Sequence, residues 1–154
     1  MRMNSSMQKL LLEMEITLPV STAEASVPNP SLMEHDDSIF LADEYRRSSS
    51  VSISDFPDRT GLECFVNHVH LPFERNRRSL VRALAYVERL RKNLADYAKS
   101  RSFQIIMSVS GSDCVVRFHQ CRFGEIWLAT DLDKYLEESI LTVSVGDIDG
   151  ESCR

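Results

Sequence analysis

The most regular pattern of apolar and polar residues in the chain lies between Glu74 and Arg101. Apolar side chains recur there at steps of three and four residues, a spacing typical of one face of an α-helix. That face consists of Leu80, Leu84, Val87, Leu90, Leu94 and Tyr97. The basic residues lie mostly outside it, among them Arg78, Arg82, Arg89 and Lys92. The pattern predicts a helix over roughly 77–99 with an apolar side and a basic side.

A β-hairpin is predicted directly after this helix. Residues 103–109 and 114–122 each alternate between two sets of side chains, and a period of two is typical of strands. In the first segment, Phe103, Ile105, Met107 and Val109 share one face, and Gln104, Ile106 and Ser108 the other. In the second, Val116 and Phe118 share one face, and Val115, Arg117, His119 and Cys121 the other. The sequence Ser110-Gly111-Ser112-Asp113 between the two segments has the length and composition of a hairpin turn.

A strand is also predicted before the helix, over Leu62–Leu71. This segment is rich in β-branched and aromatic residues and lies between the turn residues Thr60-Gly61 and Pro72. It is apolar on both faces, which favours an inner strand. Because a strand–helix–strand crossover normally returns in parallel, we expect this strand to run parallel to one strand of the hairpin.

A second amphipathic helix is predicted after the hairpin. Phe123-Gly124-Glu125 is read as a turn, and Ile126-Trp127-Leu128 as a short apolar segment that fills the core. Thr130 and Asp133 then have the spacing of a helix-capping box. The apolar face of this helix would hold Leu132, Tyr135, Leu136, Ile140 and Val143, and Gly146 would end it.

The remaining segments complete the predicted organisation. Residues 1–20 are predicted to be an N-terminal strand or arm, with the strand over residues 8–20, because apolar and acidic residues alternate from Leu12 to Ile16. Residues 21–60 are rich in Ser, Pro, Asn and Asp and predict a long flexible loop or a disordered segment. Residues 61–146 would form the domain, and 147–154 a disordered tail. The predicted fold class is α+β, a β-α-β-β-α core with both helices on one face of a small mixed or antiparallel sheet.

Composition restricts the class of protein. The net charge of −5 combines +6 in residues 74–101 with −11 elsewhere, so a basic helix stands against an acidic remainder. No apolar run is long enough for a membrane helix, and the first twenty residues make a poor signal peptide. The spacing of Cys64, Cys114, Cys121 and Cys153 matches no zinc motif, which predicts reduced thiols in a cytoplasmic protein. No cofactor is predicted.

Histidines give the main candidate for chemistry. His68 and His70 would point to the same face of the predicted strand, where Arg117 and His119 from a neighbouring strand could join them. Three imidazoles could hold a metal ion, and with the guanidinium they could hold a phosphate. A phosphodiesterase of the paired-histidine type would need a His-x-Ser/Thr repeat on two strands, and neither His68-Val69-His70 nor the segment from His119 through Gln120 supplies one.

Three functions follow from these features. The favoured one is a non-catalytic protein-interaction domain (an inhibitor, an immunity-type protein or an adaptor) that uses charged helix surfaces. Its partner would be another protein or a second copy of the chain. Carboxylates of this chain would complement a basic partner and accelerate association. The second is an enzyme that uses His68, His70 and His119. The third, nucleic-acid binding through helix 77–99, is opposed by the overall acidity. The acidic candidates for partner binding are Asp131, Asp133 and Glu137.

Overall fold

The computed structural model describes residues 1–21 and 27–146. The helices are α1 (Ser5–Glu13), α2 (Ala42–Arg47), α3 (Arg59–Val66) and α4 (Arg77–Tyr97), with short 3-10 turns at Ile53–Asp55 and Leu132–Lys134. The strands are β1 (Arg2–Met3), β2 (Leu32–His35), β3 (Ser38–Leu41), β4 (Val69–Pro72), β5 (Phe103–Ser110), β6 (Asp113–Gln120) and β7 (Ser139–Val145). β2 and β3 form a separate hairpin, and the other strands form one antiparallel sheet in the order β1–β7–β5–β6–β4. The predicted α+β class is confirmed, and a strand stands at the N-terminus.

The β5–β6 hairpin is the centre of the sheet and agrees with its prediction. The strands pair from Phe103 opposite Gln120 to Ser110 opposite Asp113. Gly111 begins the turn with φ 57°, a conformation that glycine adopts without steric cost. β4 pairs antiparallel with β6, so it runs in the same direction as β5, as the crossover argument predicts.

Two helices pack on one face of this sheet, and one of them is the predicted basic helix. α4 begins at Asn76, whose side chain accepts a hydrogen bond from the Ser79 N–H at 2.9 Å. Its predicted apolar face is buried except for Tyr97, which lies in the last turn and is 48% exposed. The helix beside it is α1, which contributes Met7, Leu10 and Leu11 to the same core. No helix within the described ranges is both long and apolar enough to cross a membrane.

The prediction of a strand over residues 8–20 is wrong, because this part of the chain begins with α1. Its buried residues follow helical spacing at positions 7, 10 and 11, whereas Leu12 is 79% exposed. Asn4 caps the helix, since its Oδ1 accepts the Met7 N–H at 3.0 Å and the Ile140 N–H at 2.9 Å. The second of these bonds ties the helix start to β7, a long-range contact that alternation in sequence does not reveal.

Two further elements also differ from prediction. Leu62–Leu71 is not one strand: α3 runs to Val66, and only the last part pairs with β6 as β4. The segment from Thr130 to Val143 is not a helix, since it holds one 3-10 turn and then enters β7. Residues 139–145 include four β-branched residues, which suit a strand that pairs along its whole length with β5.

Residues 21–60, predicted to be flexible, contain the β2–β3 hairpin and α2 in their described part. Asp36 and Asp37 form the two-residue turn with φ 47° and 62°, the positive values of a type I′ turn. Arg101 holds this turn through Glu34 at 2.5 Å and Asp37 at 3.1 Å. Ile39 and Leu41 of β3 belong to the same core as α1 and α4. Residues 22–26 and the predicted tail 147–154 lie outside the described residues.

The cysteines follow their prediction only in part. Cys64 and Cys114 are free and buried. Burial raises the pKa of both thiols, that of Cys114 to about 12, so both stay protonated and behave as small apolar side chains. Cys121, by contrast, is disulfide-bonded, and the prediction of a reduced thiol is wrong there.

Candidate functional site: an exposed apolar connection

The segment that joins β6 to β7 carries four of the nine exposed large apolar side chains of the described chain, including the two most exposed. We call residues 121–138 the β6–β7 connection. Phe123 is 88% exposed, Leu136 85%, Ile126 60% and Trp127 39%. The prediction that Ile126-Trp127-Leu128 fills the core therefore fails for its first two residues, although the turn at 123–125 is present. A segment that exposes several large apolar side chains is a candidate binding surface.

The connection rests on the outer face of the sheet, which we define as the face turned away from α1 and α4. A small second core forms there, in which Leu132 packs with Ile106 of β5 and Ile140 of β7. Leu128 and Tyr135 pack against this core, and the Tyr135 hydroxyl accepts the Ala129 N–H at 3.0 Å. The connection is therefore a packed layer, and its exposed side chains project from a supported backbone.

A type II β-turn places Phe123 at an exposed corner. The Glu125 N–H donates to the Arg122 carbonyl at 3.3 Å, which closes the turn. Gly124, the third residue of the turn, has φ 80°, the value that a type II turn requires and that favours glycine. Phe123 is the second residue of the turn and points away from the sheet into solvent, at 88% exposure.

The first anchor of this turn is an ion pair between Arg122 and Glu63 of α3. The Glu63 carboxylate is 0% exposed and accepts Arg122 Nη1 at 3.0 Å and Nη2 at 2.7 Å. The Arg122 side chain is 14% exposed, and its Nη2 also donates to the Asp37 carbonyl at 3.3 Å. Burial alone would lower the pKa of Arg122, but the hydrogen bonds and charge of Glu63 raise it. The guanidinium stays charged and links three elements.

The second anchor is Glu125, on the other side of the turn. Its carboxylate accepts the Thr60 N–H at 2.9 Å and the Thr60 hydroxyl at 2.7 Å. Thr60 lies in the first turn of α3, where backbone N–H groups lack intrahelical acceptors and the helix dipole favours a carboxylate. Both residues that flank Phe123-Gly124 are thus bound to the same helix.

α3 also covers the open edge of β6, because β4 pairs only with residues 113–116. Beyond that point, Glu63 accepts the Gln120 N–H at 2.7 Å, and Asn67 donates to the Phe118 carbonyl at 3.3 Å. Asn67, which is 0% exposed, also accepts the Leu41 N–H and donates to the Ile39 carbonyl, both at 2.9 Å. Two side chains of this helical segment therefore take the place of a neighbouring strand.

The predicted acidic residues lie on this connection rather than on a helix. Asp133 accepts the Ser5 N–H at 2.7 Å, at the start of α1, and Asp131 accepts the Asp133 N–H at 3.1 Å. Both carboxylates thus have structural roles, while Glu137 is exposed. Residues 121–138 hold five acidic and two basic residues, a charge of −3. The surface that exposes the apolar side chains is therefore acidic.

The predicted basic residues of α4 lie on the other side of the sheet. Arg78 and Arg82 are exposed and Arg89 is half-buried. Lys92 lies 3.9 Å from Glu88, which also pairs with Arg91 at 2.7 Å. Because the sheet separates α4 from the β6–β7 connection, the acidic segment does not neutralise the basic helix within the chain.

The predicted histidine site is only partly assembled. The rings of His68 and His70 lie 5.4 Å apart, and His70 Nδ1 is 2.9 Å from Asp113 Oδ1. His70 stands opposite Val115, four residues and about 13 Å along β6 from His119. Across residues 1–21 and 27–146, no three His, Cys, Asp or Glu side chains gather in a group that could hold a metal ion.

Arg117 and His119 have separate roles on the outer face. The Arg117 guanidinium lies 5.7 Å from the centre of the Trp127 ring, a cation–π contact that fixes Trp127 to the sheet. His119 is 3% exposed, its Nδ1 lies 3.0 Å from the Gln120 carbonyl, and its Nε2 is buried without a hydrogen-bond partner. Burial lowers the pKa of this imidazole, which is neutral at pH 7.

Two clefts lie on other parts of the described surface. One of about 230 Å³ opens between the β2–β3 hairpin and α3, with His35, Tyr45 and Arg59 in its wall. Another of about 320 Å³ is an open depression beside Asn93. Neither is lined by the predicted histidines or by the β6–β7 connection. The connection is a projecting surface, which suits contact with a macromolecule better than enclosure of a small substrate.

Comparison with known proteins identifies a family without adding a function. No curated protein and no solved structure matches the chain. One family model matches it over residues 2–152, almost the full length. The chain therefore belongs to the family described as the Uncharacterized protein PM0498 family.

Proposed function

We propose that the protein is a non-catalytic interaction domain, of the inhibitor, immunity or adaptor type, that binds a protein partner through the β6–β7 connection. The observation that carries this proposal is the exposure of four large apolar side chains on one packed, acidic segment. Burial of such side chains against a partner would be favourable by roughly 25 cal/mol per Å² of apolar surface. Phe and Trp are also well suited to the centre of an interface.

The charge of the connection indicates the chemistry of the partner. Five acidic residues against two basic ones would attract a basic protein surface and repel nucleic acid. Asp36, which is 81% exposed, adds to this field, while its neighbour Asp37 is paired with Arg101 at 3.1 Å. The interface is thus proposed on a connection of the outer face, whereas the sequence had favoured helix surfaces. The basic face of α4 is the competing surface.

Capture from a host lysate with three forms of the full chain tests the proposal. One is the wild type, one carries Ile126→Ser and Leu136→Ser, and one carries Arg78→Glu and Arg82→Glu as a matched surface change on α4. All four substituted side chains are exposed, so we expect the same melting temperature for each form.

We expect the wild type and the α4 variant to retain the same protein, and the connection variant to lose it. Association of the purified pair should slow as salt rises from 0.05 to 0.5 M, because the screening length falls to roughly 4 Å and long-range attraction is lost. Loss of the partner with the α4 variant alone would refute the connection as the interface. Recovery of nucleic acid that salt removes would favour the third function instead.

A further inference from the structure

We infer that Phe123 is the anchor of this interface, a side chain that enters an apolar pocket, rimmed by basic groups, on the partner protein. The inference rests on the proposed function and adds a specific residue and a specific complementary shape. It is carried by three observations: the exposure of the ring, the anchoring of its backbone on both sides, and the acidic groups beside it.

The ring is exposed although its backbone is fixed. Phe123 is 88% exposed, the highest value among the large apolar side chains of the described chain. Arg122 on one side is bound to the fully buried Glu63, and Glu125 on the other is bound to Thr60. The turn between them is closed by its own hydrogen bond of 3.3 Å. The backbone that carries the ring therefore has little conformational freedom left to lose on binding.

This fixed geometry lowers the entropic cost of binding. A flexible loop loses backbone entropy when binding orders it, whereas residues 122–125 are ordered before the partner arrives. Aromatic side chains held in this way are common at binding hot spots, where a few residues carry most of the affinity. Leu12, which is 79% exposed on a helix surface, lacks this projecting position.

The neighbourhood of the ring defines the rim of the partner's pocket. The Asp37 carbonyl accepts a hydrogen bond from Arg122, so the acidic β2–β3 turn lies beside the 122–125 turn. Arg122 faces inward to Glu63, and Asp37 pairs with Arg101 at 3.1 Å. The carboxylate of Asp36, which is 81% exposed, is therefore the acidic group that this turn presents to a partner. Basic groups around an apolar pocket complement this arrangement.

Binding of the captured and purified partner protein tests the anchor. Phe123→Ala is compared with Phe65→Ala, a matched change of a Phe that is 46% exposed on α3. We expect Phe123→Ala to weaken the affinity at least about 30-fold, the size of a hot-spot effect, and Phe65→Ala less than about threefold. Asp36→Asn, which keeps a residue that tolerates positive φ, should slow association several-fold at low salt.

The outcomes separate the inference from the proposed function. If Phe123→Ala binds within threefold of the wild type while Ile126→Ser with Leu136→Ser abolishes binding, the anchor is refuted and the function stands. If the wild type captures no protein, both fail. Backbone ¹⁵N relaxation of the free chain tests the anchoring independently. We expect order parameters near 0.85 at residues 122–125, and values below about 0.6 would overturn the argument from a fixed turn.

Discussion

The ion pair between Glu63 and Arg122 makes a quantitative prediction through Glu63→Gln. This substitution keeps the size of the side chain, but its NH₂ group would face N–H donors of Gln120 or Arg122, from which it cannot accept a hydrogen bond. Glu63 accepts three hydrogen bonds of 2.7, 3.0 and 2.7 Å, two of them from the guanidinium. The amide oxygen can replace only part of this acceptor capacity, and the Arg122 charge loses its buried partner.

We expect the loss in the free energy of unfolding to lie at the low end of the range for a buried ion pair that loses one partner. Removal of one partner from a buried ion pair costs about 3–5 kcal/mol. Arg122 retains 14% exposure and lies 4.0 Å from Glu125, so water and a second carboxylate compensate part of the loss. We therefore expect a loss of about 3 kcal/mol in the free energy of unfolding. At this chain length, that corresponds to a fall of about 6–12 °C in melting temperature.

Urea denaturation followed by circular dichroism measures this loss. Lys9→Gln is the control, because it breaks an exposed pair with Glu13 at 3.9 Å and should change stability by less than about 0.5 kcal/mol. Adding Arg122→Met to Glu63→Gln removes the unpaired charge, so the double variant should be less destabilised than the sum of the single variants. A loss below about 1 kcal/mol for Glu63→Gln, or strict additivity, would refute the reasoning.

Three further changes test other parts of the structure. Because burial lowers the pKa of His119 below its ordinary value of 6.5, the unfolded chain binds the proton first as the pH falls. Stability should therefore decline from about pH 6.5 downward, and urea titrations at pH 7.5 and 5.5 should show a smaller decline for His119→Asn. Asn67→Leu leaves three backbone groups of β3 and β6 without partners and should cost about 2–4 kcal/mol, or prevent folding; unchanged stability would contradict this role. Gly146→Ala puts a Cβ 2.6 Å from the Arg101 carbonyl oxygen at φ 84° and should lower the melting temperature clearly more than Gly111→Ala, which has the same type of φ but open space.

The sequence was sufficient where the signal is local and periodic. The β5–β6 hairpin combines two alternating strands with a glycine turn, and α4 combines a long apolar face with an Asn cap. In both, the residues that decide the structure are neighbours along the chain. The α+β class follows from these two elements alone.

The errors fall where long-range contacts outweigh a short pattern. Apolar and acidic residues alternate from 12 to 16 as in a strand, but α1 extends to Glu13. Asn4 caps the start of this helix and also accepts a hydrogen bond from Ile140 of β7. The apolar residues between Thr130 and Val143 have helical spacing, but residues 139–145 pair with β5 and form strand β7. The polar composition of residues 27–47 hides a hairpin whose turn is held by arginines from distant parts of the chain.

The candidate site was only partly visible in the sequence. The acidic residues Asp131, Asp133 and Glu137 were found from charge, and the turn at 123–125 from its glycine. The exposure of Phe123 was not predicted, because a Phe is usually buried. A signal was nevertheless present: Phe at the second position of a turn with Gly third is forced to a corner of the chain. The buried partner of Arg122 could come only from the three-dimensional structure.

The way in which α3 closes the edge of β6 has a consequence for self-association. Glu63 and Asn67 satisfy backbone groups at Gln120 and Phe118 that a sixth strand would otherwise pair. A local opening that undocks α3 would therefore expose a short strand edge next to buried apolar residues, while the rest of the sheet stays folded. Such an edge can template the addition of a strand from a second molecule. The local stability of one eight-residue helix, rather than that of the whole chain, then limits aggregation.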